Sequence, residues 1–222
     1  MSGLKTSVRR WYRGLPPITA GIVIGLSALY VALLILGLAW PEASEALWSW
    51  LSLVPTEAWR RPWTLLTMVP LHKDPLHVLL NVMAFASLAP WVERSIGRRR
   101  FPLLLAISAL AGSLAYALIG WPLGWATPAF GASGLVLGVM TAFALLYPEA
   151  ELRFWFAAPL KAKNLIWLIV GIDAILVAAG TRIDVPVHFG AMIAAWAFLR
   201  KPWQASYRRR VALWVRRLRG SR

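Results

Sequence analysis

The sequence predicts an all-α fold, a polytopic membrane protein built as a bundle of six transmembrane helices. Three observations predict it. Of 222 residues, 59% are apolar and only 15% charged, against about 25% charged in a typical soluble domain. Apolar stretches with at most one charge recur six times along the chain. The basic residues gather between alternate stretches rather than evenly. So little polar surface cannot cover a soluble globule. The absence of cysteine excludes a disulfide scaffold and a thiolate-ligated metal domain.

The spans follow in order, since a helix crossing the hydrocarbon needs about 20 mostly apolar residues. Residues 14–41 carry no charge and 18–39 form the first span. Its 22-residue apolar core exceeds the ~7–15 residues of a cleavable signal, so it reads as a retained anchor. Residues 75–92 form the second span and contain His77 and Asn81. The uncharged block 101–148 is too long for one helix, and GWPLGWATP at 120–128 divides it into spans near 101–120 and 129–147. The fifth span, 164–181, has Asp173 as its only charge. The sixth, 185–199, is the shortest, and Arg200, Lys201 and Trp203 would extend it by snorkelling and interfacial anchoring.

The formal charge of +15 is explained by topology. With the N-terminus cytoplasmic, 20 of the 24 Lys and Arg fall on the inner side, leaving Arg60, Arg61, Lys73 and Arg182 outside. Both termini are then inside, and no nucleic-acid partner is needed to account for the charge. The expected organisation is a basic cytoplasmic N-terminus at 1–14, a six-span core at 15–200 and a basic cytoplasmic tail at 201–222. The tail has the pattern of a basic amphipathic helix, with a solvated charged tail as the equal alternative. The outer segment 41–74 contains Trp48, Trp50, Trp59 and Trp63 and is expected to be a loop lying at the outer interface.

Spans 2, 4 and 6 all begin at the outer face. His77 and Asn81, Ser133 and His188 therefore sit within roughly 10 Å of the outer ends of three helices. Polar groups at such depth usually face a bundle interior or wet cavity, and a common depth is what a single site requires. Ser133 lies in Gly131-Ala132-Ser133-Gly134, near a helix N-terminus whose free N–H groups would stabilise an oxyanion. His77 and Asn81, four residues apart, share a helix face. His188 is the candidate general base. With no carboxylate expected at this depth, the reading is a Ser–His dyad. Taken singly, each motif is more often a packing seam or a structural hydrogen-bonder; together, in this order, they favour chemistry.

These residues resemble the rhomboid intramembrane serine proteases. The resemblance rests on Trp63-Thr-Leu-Leu-Thr67, Leu71-His72, His77-Val-Leu-Leu-Asn81, Glu93, Gly131-Ala-Ser133-Gly134 and His188-Phe-Gly190. It implies Ser133 as nucleophile, His188 as its base, and His77 and Asn81 in the oxyanion hole, with His72 a nearby structural histidine. Three positions depart from the family pattern. Thr64 follows Trp63 where arginine is frequent, Gly190-Ala191 replaces two glycines, and Leu137 stands where an aromatic commonly stacks on the histidine. The resemblance implies hydrolysis of a peptide bond in or beside a transmembrane segment of another membrane protein, without metal or cofactor. By analogy it also implies a bacterial inner membrane, with the site opening to the outer side. Two rivals are a rhomboid-like client binder without activity and a small proton-coupled transporter using Asp173 and the histidines. Asp173 otherwise reads as a protonated structural residue.

Overall fold

The computed structural model describes residues 14–152, 159–179 and 185–200. The basic N-terminus, Arg153, Arg182, Trp203 and the tail 201–222 lie outside the described residues. The described residues are mostly helical. In order, the helices are α1 (Pro17–Ala39), α2 (Pro41–Leu51), the single turn α3 (Thr64–Thr67), α4 (Pro75–Ile96), α5 (Arg100–Gly120), α6 (Ser133–Leu146), α7 (Leu165–Ala178) and α8 (Val185–Leu199). A two-residue antiparallel pair, β1 (Glu151–Leu152) and β2 (Leu160–Lys161), closes the turn between α6 and α7.

Six of these helices coincide with the six apolar stretches. By length and composition alone α1, α4 and α5 cross a membrane, whereas α6, α7 and α8 have 14, 14 and 15 residues. Large apolar side chains on α1, α4, α7 and α8 stand exposed, among them Ile35, Leu38, Leu80, Trp167, Ile175 and Ile193. Only a hydrocarbon surrounding makes such a surface stable.

α5 packs most extensively on α8, and α6 packs on α8, α4 and α5, which makes α6 the central helix. Small residues allow this closeness. A Cβ on Gly190 would lie 2.6 Å from the Ala111 carbonyl oxygen, and Gly138 lies directly against the Ser108 side chain. Phe85, Val92, Phe101, Leu104 and Val139 fill the seam between α4, α5 and α6.

The end of the bundle at the start of α1 is pinned by Glu93. Its buried carboxylate accepts from the Thr19 N–H (2.8 Å), the Thr19 hydroxyl (2.7 Å) and the Ile18 N–H (3.3 Å). These are first-turn donors of α1 that no residue within that helix can satisfy. Arg94 donates to the Gly14 carbonyl, and Ser95 is hydrogen-bonded to Tyr147. Farther along this side, Lys161 and Lys163 pair with Glu149 at 2.9 and 2.6 Å.

Segment 41–74 is a folded cap rather than a loop. Pro41 at the first helical position, with Glu42 behind it, starts α2. Trp50 and Trp63 stack at 5.7 Å, and the Trp63 indole N–H donates to the Trp50 carbonyl. The Thr67 hydroxyl donates to Leu51, and Leu53 bridges Ala129 in both directions. Trp50 and Trp63 thus bond the segment to itself, and Leu53 ties it to the strand-like approach to Ser133.

Candidate active site

α6 begins at Ser133 itself, four residues later than the uncharged block suggests, with Ala132 as its N-cap. α5 has 21 residues and α6 only 14. With seven fewer residues, α6 is roughly 10 Å shorter than α5. The connection from Trp121 to Ala132 runs down to it, held by Ala129 against Leu53 and by the Gly131 N–H donating to Met68 (2.9 Å). As the first helical residue, Ser133 carries one of the backbone N–H groups that the helix leaves unpaired. Among the described residues its hydroxyl makes no hydrogen bond.

Gly131 has φ +122°, a conformation that favours glycine, and the ring of His77 occupies the space a side chain would need. A Cβ there would lie 2.7 Å from His77 Cε1 and 3.0 Å from Nε2. This places the His77 ring against the turn that delivers Ser133. His77 is the third residue of α4, whose start is fixed by Asp74 as N-cap, accepting the His77 N–H at 2.7 Å, and by Pro75.

His188 reaches the site through helix packing. Gly134 sits against Val187 and Ala191 of α8, one on each side of His188 in sequence. A Cβ on Gly134 would lie 3.0 Å from the Val187 side chain and 3.7 Å from that of Ala191. His77 and His188 lie within electrostatic range of each other. The structure thus gathers Ser133, His77 and His188 at one end of the bundle, opposite Glu93 and Glu149.

Asn81 is buried one turn below His77, and its amide group is already engaged. Nδ2 donates to the His77 carbonyl at 3.1 Å and to His72 Nε2 at 3.3 Å. To donate to an oxyanion it must release one of these. His72, 1% exposed, holds three segments together. Its Nδ1 bonds the Pro70 carbonyl at 3.1 Å, so Nδ1 carries the proton. Nε2 then accepts from Asn81 and from the Ala132 N–H at 3.3 Å. Burial, and secondarily the neighbouring His77, lower the His72 pKa from 6.5 to about 4, keeping the ring neutral. His72 is therefore an acceptor that anchors the residue immediately before the serine.

One expectation is overturned. A carboxylate does stand at the depth of the site: Asp173 of α7, 4% exposed, meets His188 Nδ1 with Oδ2 at 2.9 Å and Oδ1 at 3.1 Å. Counting along the apolar stretch to residue 181 places Asp173 too deep. α7 ends at Ala178, so Asp173 is five residues, about 7.5 Å, from its C-terminal end. The signal available in the sequence is an Asp in a helix that otherwise faces lipid.

The family described as Rhomboid domain matches residues 57–202. The chain is 29% identical over 145 residues to Rhomboid protease GluP of Bacillus subtilis, covering 65% of this chain and 26% of that one. It is 26% identical over 181 residues to Rhomboid protease GlpG of Pectobacterium atrosepticum, covering 80% and 59%. It is 30% identical over 156 residues to the mitochondrial RHOMBOID-like protein 12 of Arabidopsis thaliana, covering 62% and 46%. The chain thus spans between a quarter and three fifths of the length of these relatives. The match over most of the chain, the helical bundle and its lipid-facing surface agree: this is an integral membrane protein that belongs to the rhomboid family.

Proposed function

We propose that the chain is an intramembrane serine endopeptidase that cleaves transmembrane segments of other membrane proteins. The observation that supports the reading is the packing of Gly134, next to Ser133, on Val187 and Ala191, which flank His188 in α8. In this reading Ser133 Oγ attacks the scissile carbonyl carbon while His188 Nε2 takes the hydroxyl proton. The carbonyl electron pair moves onto oxygen. That oxyanion receives the Ser133 N–H and a His77 ring N–H, with Asn81 joining once it releases one of its two present acceptors. A donor of this kind contributes on the order of 100- to 1,000-fold in rate. Collapse expels the amine, which takes the proton from His188, and water then hydrolyses the acyl-enzyme by the same route reversed.

Residues 15–200 would form the catalytic core, flanked by the basic ends 1–14 and 201–222. The charge distribution supports cytoplasmic termini and a site open to the outer side, and the bacterial relatives support a bacterial inner membrane. The substrate is expected to approach from the lipid, since its scissile bond lies in or beside a membrane helix.

The test is labelling of purified protein by a fluorophosphonate probe. Wild type is expected to label, and Ser133→Ala and His188→Ala to lose labelling while keeping the same melting behaviour. Folded wild type that stays unlabelled in detergent and in lipid would sink the reading and favour a binder of membrane clients without activity.

A further inference from the structure

We propose that Asp173 is a positioning residue that holds the His188 ring as a base, extending the pair to a Ser133–His188–Asp173 triad. This inference rests on the protease reading above for its chemistry, though not for its geometry. α7 is apolar apart from Asp173, and beyond its first residue, Leu165, Asp173 is its only buried side chain. The helix otherwise presents Trp167, Leu168, Ile172, Ile175 and Val177 outward. A carboxylate in hydrocarbon is costly unless a partner takes its charge or proton. Here both oxygens converge on one atom, His188 Nδ1, and among the described residues the ring has no other hydrogen-bond partner. With leucine at 137, nothing aromatic stands at the position where the family commonly places a stacking ring.

The consequence is a choice of tautomer. An ionised Asp173 can only accept, so Nδ1 carries the hydrogen and Nε2 keeps its lone pair. That is the form a base needs. When the Ser133 proton moves to Nε2 and the Ser133 Oγ–carbon bond forms, the imidazolium carries positive charge beside the carboxylate, which stabilises it without taking the proton. When the amine leaves, Nε2 returns that proton, and Asp173 is unchanged throughout.

The chain has three histidines, so selective ¹⁵N-histidine labelling resolves His188 once His72→Gln and His77→Gln spectra are compared. In wild type, His188 is expected to give one protonated Nδ1 and one unprotonated Nε2 signal. Asp173→Leu should yield averaged tautomer signals and lower kinact for the fluorophosphonate by about 100-fold or more, with KI within about twofold. Should the leucine variant fail to fold, Asp173→Asn serves. The Nδ1 proton signal should then move upfield as the charged acceptor is lost, and kinact should fall with KI held. A loss of labelling with unchanged His188 nitrogen signals would make Asp173 a packing residue and overturn the proposal. So would unchanged signals with an unchanged rate. Wild type that never labels, while Asp173→Leu still shifts the His188 tautomer, would reject the protease reading and leave the positioning role standing.

Discussion

His72 joins the approach to α4, the body of α4 through Asn81, and the residue before Ser133, all through one neutral ring. Its protonation would put an N–H where Ala132 and Asn81 need an acceptor, leaving a buried donor facing another donor. The sign of the pH effect follows. The folded value of about 4 lies below the ordinary 6.5, so the fold prefers the neutral ring. That preference contributes fully above about pH 6.5 and is lost as pH falls through about 4, amounting to on the order of 3 kcal/mol. Thermal unfolding in detergent should therefore weaken from pH 6.5 to 4 in wild type. His72→Gln supplies an amide oxygen that does not titrate, so its dependence over that window should be much flatter. Equal slopes in the two proteins would mean that another group governs the acid limb.

At the scale of the element, the helices are legible in the sequence and their ends are not. Six apolar stretches mark six helices, because transfer into hydrocarbon depends on summed apolarity and barely on register. Where a helix starts depends instead on local hydrogen bonds and φ. The chain near Ser133 becomes helical only after Gly131, whose positive φ and His77 neighbour no composition window registers. The same blindness places Asp173 too deep and so conceals its contact with His188. α2 escapes a reading of composition because its tryptophans signal an interface, whereas its helicity follows from Pro41 and Glu42 at the start. The site residues Ser133, His77 and His188 are readable as a group because their spacing to the helix ends is short. The depth of Asn81 is readable in the same way, but the two acceptors that occupy its amide can be seen only in three dimensions. Packing between elements gives a further prediction. Gly190→Ala sets a methyl 2.6 Å from the Ala111 carbonyl oxygen and 2.7 Å from Ala115, forcing α5 and α8 apart. A loss of about 1–3 kcal/mol is expected, read as a lower melting midpoint. Gly171→Ala on α7 meets nothing within 4 Å and should raise the midpoint slightly through helix propensity. Equal effects from the two would mean that the α5–α8 seam is looser than these distances.

For the whole molecule, the charge pattern and the fold make a joint statement about sidedness. Glu93, Arg94, Glu149, Lys161 and Lys163 lie toward one end of the bundle, and the Ser133 site lies at the other. Basic residues are held on the cytoplasmic side, so the site should face outward and open under the folded cap of α2 and α3. The chain has no cysteine, so single cysteines report position without background. Arg60, exposed on the cap, and Lys163, exposed beside β2, are suitable sites. In right-side-out vesicles Arg60→Cys should react with an impermeant maleimide at once, and Lys163→Cys only after permeabilisation. The reverse pattern would place the serine toward the cytoplasm. Clients would then have to present their scissile bond near the inner leaflet, and the basic loops would have been translocated against their usual bias. Reaction of both sites in sealed vesicles would indicate mixed orientation, which an inner-side excess of 20 of 24 basic residues should prevent.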